Sequence, residues 1–188
     1  ENNRAIPGVL RNALEIGSHP DDSNAWAGNL YAKHSLPGAS LLSGGKDFDF
    51  LISDGRALQY LKDSAIVWTG QHEQAVLDVL FDAGGDRFLI LSEGNISSFK
   101  PGNNALTQEF SHPGMTCFAV SANRGELVVG TRDGYFVLDA RNMQQKGDVQ
   151  RKLPWTDLTT IQEIDGNLWF GSTRGAFMVK DDGAFNYY

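Results

Sequence analysis

Three of the four histidines in this 188-residue chain fall at nearly equal intervals: His72 and His112 are 40 residues apart, and His34 lies 38 before His72. Imidazoles spaced this way can share one centre only if the backbone repeats with them. Neutral imidazoles ringed by carboxylates suit Mn or Zn, and such a centre could activate water or take a proton beside a carboxylate. Acids stand at related positions, Asp54, Glu93 and Asp133, with Arg174 replacing the acid in the last interval. Trp155, after Leu153-Pro154, offers a surface for a sugar ring or an anchor for a protein partner. The candidate ligand-binding set is therefore His34, His72, His112, Trp155 and Arg174. The candidate metal set is His34, His72 and His112, and no catalytic residue is assigned.

A plainer reading competes at each position. Histidine at a strand entry often caps a backbone carbonyl, and Asp before Gly is ordinary turn chemistry. Pro154-Trp155 could pack on a neighbouring element. No HxxxH or CxxC pair, nucleophile motif or phosphate loop accompanies the histidines.

The elements that would position these residues are visible in two glycine ladders. Gly55, Gly94, Gly134 and Gly175 are 39, 40 and 41 residues apart, and Gly45, Gly85, Gly125 and Gly166 are 40, 40 and 41 apart. Between the ladders run short apolar segments: KDFDFLISD, DRFLILSE, ELVVGTRD and NLWFGSTR. Apolar segments follow the second ladder (ALQYL, NISSF, YFVLD, AFMVK) and precede the first, as in AVLDVLFD and MTCFAVS. A more polar one closes each unit, as in IVWTG and LTQEF. Four short antiparallel strands in about 40 residues predict an all-β fold, a β-propeller of four four-stranded blades. The expected blades are about 39–70, 75–110, 115–152 and 157–188. Residues 1–27 read as an extension with little regular structure, and 28–188 as the propeller repeats, with 29–34 a candidate closing strand. The ring either closes within the chain or forms part of a larger propeller completed by a second chain or copy. Trp169 and Phe170 are expected in interblade core, Trp68 in core or interface, and Cys117 as a small buried hydrophobe.

Two segments carry a resemblance. Gly166-Asn167-Leu168-Trp169-Phe170-Gly171-Ser172-Thr173-Arg174-Gly175 resembles the repeat of the two-component regulator propeller family. The segment from Gly125 to Asp139, GELVVGTRDGYFVLD, resembles the PQQ-type propeller repeat. The resemblance covers roughly Ser40 to Tyr188 and is strongest in the last two copies. It implies an extracellular or periplasmic sensing or scaffolding domain that binds glycans or proteins. It does not imply the quinone cofactor, because nothing here matches a quinone-binding site.

Composition narrows the classes further. The net charge of −7 disfavours an extended nucleic-acid footprint or an anionic membrane surface. No apolar stretch reaches the length of a transmembrane helix, so no membrane insertion is expected. The single cysteine excludes an intrachain disulfide. The leading expectation is a non-enzymatic module that binds a ligand or protein on its channel face, without a cofactor. The competing one is a metal-dependent glycan lyase or hydrolase built on the histidines.

Overall fold

The computed structural model describes residues 41–45, 49–63, 65–121, 124–180 and 185–187. His34, the candidate closing strand 29–34 and the extension 1–27 lie outside the described residues. Every regular element described is a β-strand, and the strands form four four-stranded antiparallel sheets.

The first sheet is β1 (Leu41–Gly44), β2 (Phe50–Asp54), β3 (Ala57–Lys62) and β4 (Ala65–Gln71). The second is β5 (Val76–Asp82), β6 (Arg87–Ser92), β7 (Asn95–Phe99) and β8 (Leu106–Ser111). The third is β9 (Met115–Ser121), β10 (Glu126–Thr131), β11 (Gly134–Asp139) and β12 (Gln145–Gln150). The fourth is β13 (Leu158–Ile164), β14 (Asn167–Ser172), β15 (Gly175–Val179) and β16 (Phe185–Tyr187). Within each sheet the strands pair in chain order, as a meander. The first strands pack in series, β1 on β5, β5 on β9 and β9 on β13. Four meanders stacked through their first strands are β-propeller blades.

Strand alternation explains why the second strand of each blade is almost wholly apolar. Successive side chains point to opposite faces of a sheet. On β6, Phe88 and Ile90 enter the core shared with blade 1, while Leu89 and Leu91 enter the core shared with blade 3. On β10, Leu127 and Val129 face blade 2 and Val128 faces blade 4. Both faces are covered, so no polar alternation survives. The outermost strands β4, β8 and β12 are mostly exposed, which accounts for their polar composition.

The sequence expectations for single core residues divide. Phe170 sits in the joint between blades 3 and 4 and stacks on Phe177 at 5.2 Å. Its neighbour Trp169 alternates to the other side of β14, away from blade 3, and is half-buried. Trp68 packs 4.5 Å from Phe99 in the joint between blades 1 and 2, a core position. Cys117 is 4% exposed in the joint between blades 3 and 4. Burial there pushes its thiol up to about 12, so it behaves as a neutral apolar group.

One glycine is required by close approach. Gly134 opens β11 with φ +141°, and a Cβ there would overlap the carbonyl oxygen of Gln150 on the neighbouring rim strand. Only Gly fits both conditions.

Candidate functional site

Two sets of segments meet on one face: the turns after the second strands and the loops that enter the next blade. Backbone bonds tie them together. His72 N–H donates to Arg56 O (2.8 Å), Val76 N–H to Gly55 O (2.8 Å), His112 N–H to Gly94 O (3.0 Å) and Arg132 N–H to Gly114 O (3.0 Å). The loops entering blades 2 and 3 are therefore fixed to neighbouring turns by main-chain atoms, leaving the tips to vary.

The turns follow one local logic. Strand pairing leaves two residues at each tip: Gly55-Arg56, Glu93-Gly94, Arg132-Asp133 and Thr173-Arg174. In blades 2, 3 and 4 a hydroxyl residue ends the second strand and donates across the turn, Ser92 to Asn95 O, Thr131 to Gly134 O and Ser172 to Gly175 O. Thr131 and Ser172 also accept from the N–H of the second tip residue, Asp133 and Arg174. These side chains replace the backbone partners that a tight turn lacks.

The predicted acids do not occupy one equivalent position. Asp54 ends its strand opposite Ala57, Glu93 is the first tip residue and Asp133 the second. The rim is of mixed charge instead. Arg132 pairs with Glu93 at 3.1 Å, with both side chains about 70% exposed (72% and 69%). Such a pair is worth about 1 kcal/mol or less and leaves both groups open to a ligand. Thr173 donates to Asp157, and that bond together with the Arg174 charge holds the Asp157 carboxyl below its usual range. Arg174 is exposed, as are Arg56, Arg151 and Lys152.

The three loop residues singled out from the sequence share a different job. Each lands on the third residue of the third strand in the blade its loop is about to enter. The His72 Nε2 lies 3.0 Å from Ser97 Oγ on β7, and its Nδ1 lies against the Gln74 backbone. His72 is 8% exposed. The His112 ring packs 4.8 Å from Phe136 on β11, with its Nδ1 2.8 Å from Pro113 O. Trp155 meets Phe177 on β15 edge-on at 6.0 Å. These side chains plug successive joints, His72 over β7 and His112 over β11. Among the described residues no group of three His, Cys, Asp or Glu side chains could hold a metal ion. The partners Ser97, Phe136 and Phe177 were missed from the sequence, although they are themselves 39 and 41 residues apart.

The described chain is thus built of β-propeller blades presenting a charged turn face. Solved structures share the fold. The extracellular domain assigned to a hybrid two component system of B. thetaiotaomicron superposes with TM-score 0.67 at 18% identity, over 80% of this chain and 22% of that one. The extracellular domain assigned to a one component system of the same organism gives 0.60 at 19% identity, over 79% and 22%. The β-propeller domain of Myceliophteria thermophila Cps50 (Swd1) gives 0.59 at 14% identity, over 78% of this chain and 56% of that one. The chain therefore spans about a fifth of the two regulator domains and just over half of the Swd1 domain. A curated quinone reductase of Pseudomonas putida is 48% identical over 40 residues, which are 21% of this chain and 22% of that protein. No family model matches the sequence.

Proposed function

We propose that the chain is a non-enzymatic β-propeller binding module that takes an oligosaccharide on the face made by its second-strand turns and blade-entry loops. The observation that carries this reading is the contrast within that face. His72 and Trp155 are committed to blade joints, whereas Arg56, Glu93, Arg132 and Asp133 stand exposed on turns anchored by backbone bonds, and Arg174 stands exposed on a turn tied to its entry loop by the Thr173–Asp157 bond. Exposed Arg, Asp and Glu on a rigid backbone scaffold suit hydroxyl and carboxylate recognition, because each offers paired donors or acceptors from a turn whose main chain needs no reordering. The candidate residues for contact are Arg174 and the exposed part of His112, with Trp155 supporting the loop. No metal or cofactor takes part in this reading.

The B. thetaiotaomicron neighbours, being extracellular regulator domains, support an extracellular or periplasmic sensing role. The four blades form a sector of a larger ring. Support comes from the serial packing of the first strands: among the described residues no packing of that extent joins β13 back to β1. Further blades or a second copy complete the circle.

The test is calorimetric titration with neutral and uronate-containing oligosaccharides. The reading expects binding that weakens at least about tenfold in Arg174→Ala and Arg132→Ala, with unfolding midpoints unchanged. Binding unaffected by both substitutions, or lost only when a metal is chelated, would overturn it.

A further inference from the structure

The first strands of blades 2, 3 and 4 share a bulge. Register is broken between Val76 and Asp78 on β5, between Met115 and Cys117 on β9, and between Leu158 and Thr160 on β13. The residue after the bulge pairs with the penultimate residue of the second strand: Asp78 with Leu91, Cys117 with Gly130 and Thr160 with Gly171. These three residues are therefore equivalents, and each points at the side where the next blade docks. Leu91 and Leu80, which share the side of Asp78, belong to the core between blades 2 and 3.

Two of the equivalents are neutral, a thiol and a hydroxyl. The third is a carboxyl set in an apolar joint. Its one described hydrogen bond comes from the Val79 N–H, which donates to Asp78 Oδ1 at 2.8 Å. Leu77, displaced by the bulge, stands 42% exposed beside it.

We propose that Asp78 makes the joint between blades 2 and 3 proton-sensitive: the two blades pack tightly around its neutral carboxyl and loosen when it ionises. Among the described residues, the neighbours provide no charge to hold the anion. From β9 the side chains facing this joint are Met115, Phe118 and Val120, none of them titratable; Cys117, the titratable group of β9, is turned to the joint with blade 4 and is neutral through the physiological range. On β6 the facing side chains are Leu89 and Leu91. β1 carries no charged residue, and β2 carries only Asp54, exposed at its turn. Arg87 stands at the far end of β6, paired with Asp82 and Glu109. Burial accordingly pushes the Asp78 carboxyl up to about 6, against a smaller downward pull from the Val79 N–H.

The sign follows from linkage. With its folded value above its unfolded one, Asp78 holds an extra proton in the folded state between about pH 4 and 6. Its contribution is full below that window and is lost as pH rises through about 6. A shift of about two units limits the effect to roughly a hundredfold in the folding equilibrium, less because the group is only half-buried.

The experiment follows the Asp78 carboxyl carbon by NMR between pH 3 and 8, and measures urea unfolding of wild type, Asp78→Asn and Asp78→Cys over the same range. The expected titration midpoint lies near 6. Wild type should lose tens-fold in folding equilibrium between pH 4.5 and 7.5 relative to both variants, with β5 and β9 amides exchanging faster at the higher pH. A midpoint in the ordinary carboxylate range, or parallel pH profiles for wild type and variants, would overturn the proposal. The NMR titration decides the matter even if neither variant folds.

Discussion

Replacing His72 with Ala separates the two roles available to this residue. As a joint plug, the imidazole contacts Ser97 Oγ at 3.0 Å and the Gln74 backbone at about 3 Å, and it is 8% exposed. Truncation removes a net contribution of about 1 kcal/mol for the Ser97 bond. It also leaves the Ser97 hydroxyl, itself 5% exposed, without that partner, at roughly 1–2 kcal/mol more. The lost ring volume adds a cavity term, so the expected loss is about 2–4 kcal/mol. With a urea slope of about 2–3 kcal/mol/M, the unfolding midpoint should fall by about 1 M. A cycle with Ser97→Ala should show a coupling of about 1 kcal/mol, because the double variant no longer carries an orphaned hydroxyl. Oligosaccharide affinity at temperatures where the variant is folded should be unchanged. If His72→Ala left the midpoint in place yet abolished binding, the plug assignment would be refuted and the imidazole would be a ligand contact.

Three other substitutions probe the frame. Phe177→Ala, at a fully buried ring between Phe170 and Trp155, should cost about 3–5 kcal/mol by calorimetric or urea unfolding. Gly134→Ala, forced to φ +141° and into the Gln150 carbonyl, should cost several kcal/mol and reduce folded yield, whereas Gly94→Ala meets no atom within 4 Å and should cost only its backbone strain of about 1–3 kcal/mol. Arg87 bonds Asp82 at 3.1 Å and reaches across the joint to the Ala140 carbonyl. Arg87→Met should therefore cost about 3–5 kcal/mol by leaving Asp82 buried and unpaired, and adding Asp82→Asn should recover part of the loss.

The propeller was legible because its period is carried by glycines with a steric reason to stay. Gly55, Gly94 and Gly125 adopt positive φ, and Gly134 admits no side chain. The apolar second strands were equally readable, since double burial leaves them no polar face. The candidate site was harder. The equal spacing of His72 and His112 did report equivalent positions, but spacing gives register and not direction. Whether a loop side chain points at the axis or down onto the next blade depends on the residue beneath it, here Ser97 or Phe136. The turn acids recur with the repeat but not at one step of it. Asp54, Glu93 and Asp133 sit at different steps of their turns, because the first turn places its glycine one position earlier than the second. Asp78 carried no visible signal, since one acid in AVLDVLFD looks like routine alternation until the bulge turns it into the joint.

Ligand binding on the face bearing the second-strand turns is open to direct measurement. The measurement is amide hydrogen exchange of the intact chain, with and without a saturating oligosaccharide. Protection is predicted at residues 54–56, 93–94, 132–133, 151–157 and 173–174. Protection instead at the opposite turns, residues 83–86, 100–104 and 140–144, or none under saturating ligand, would contradict it.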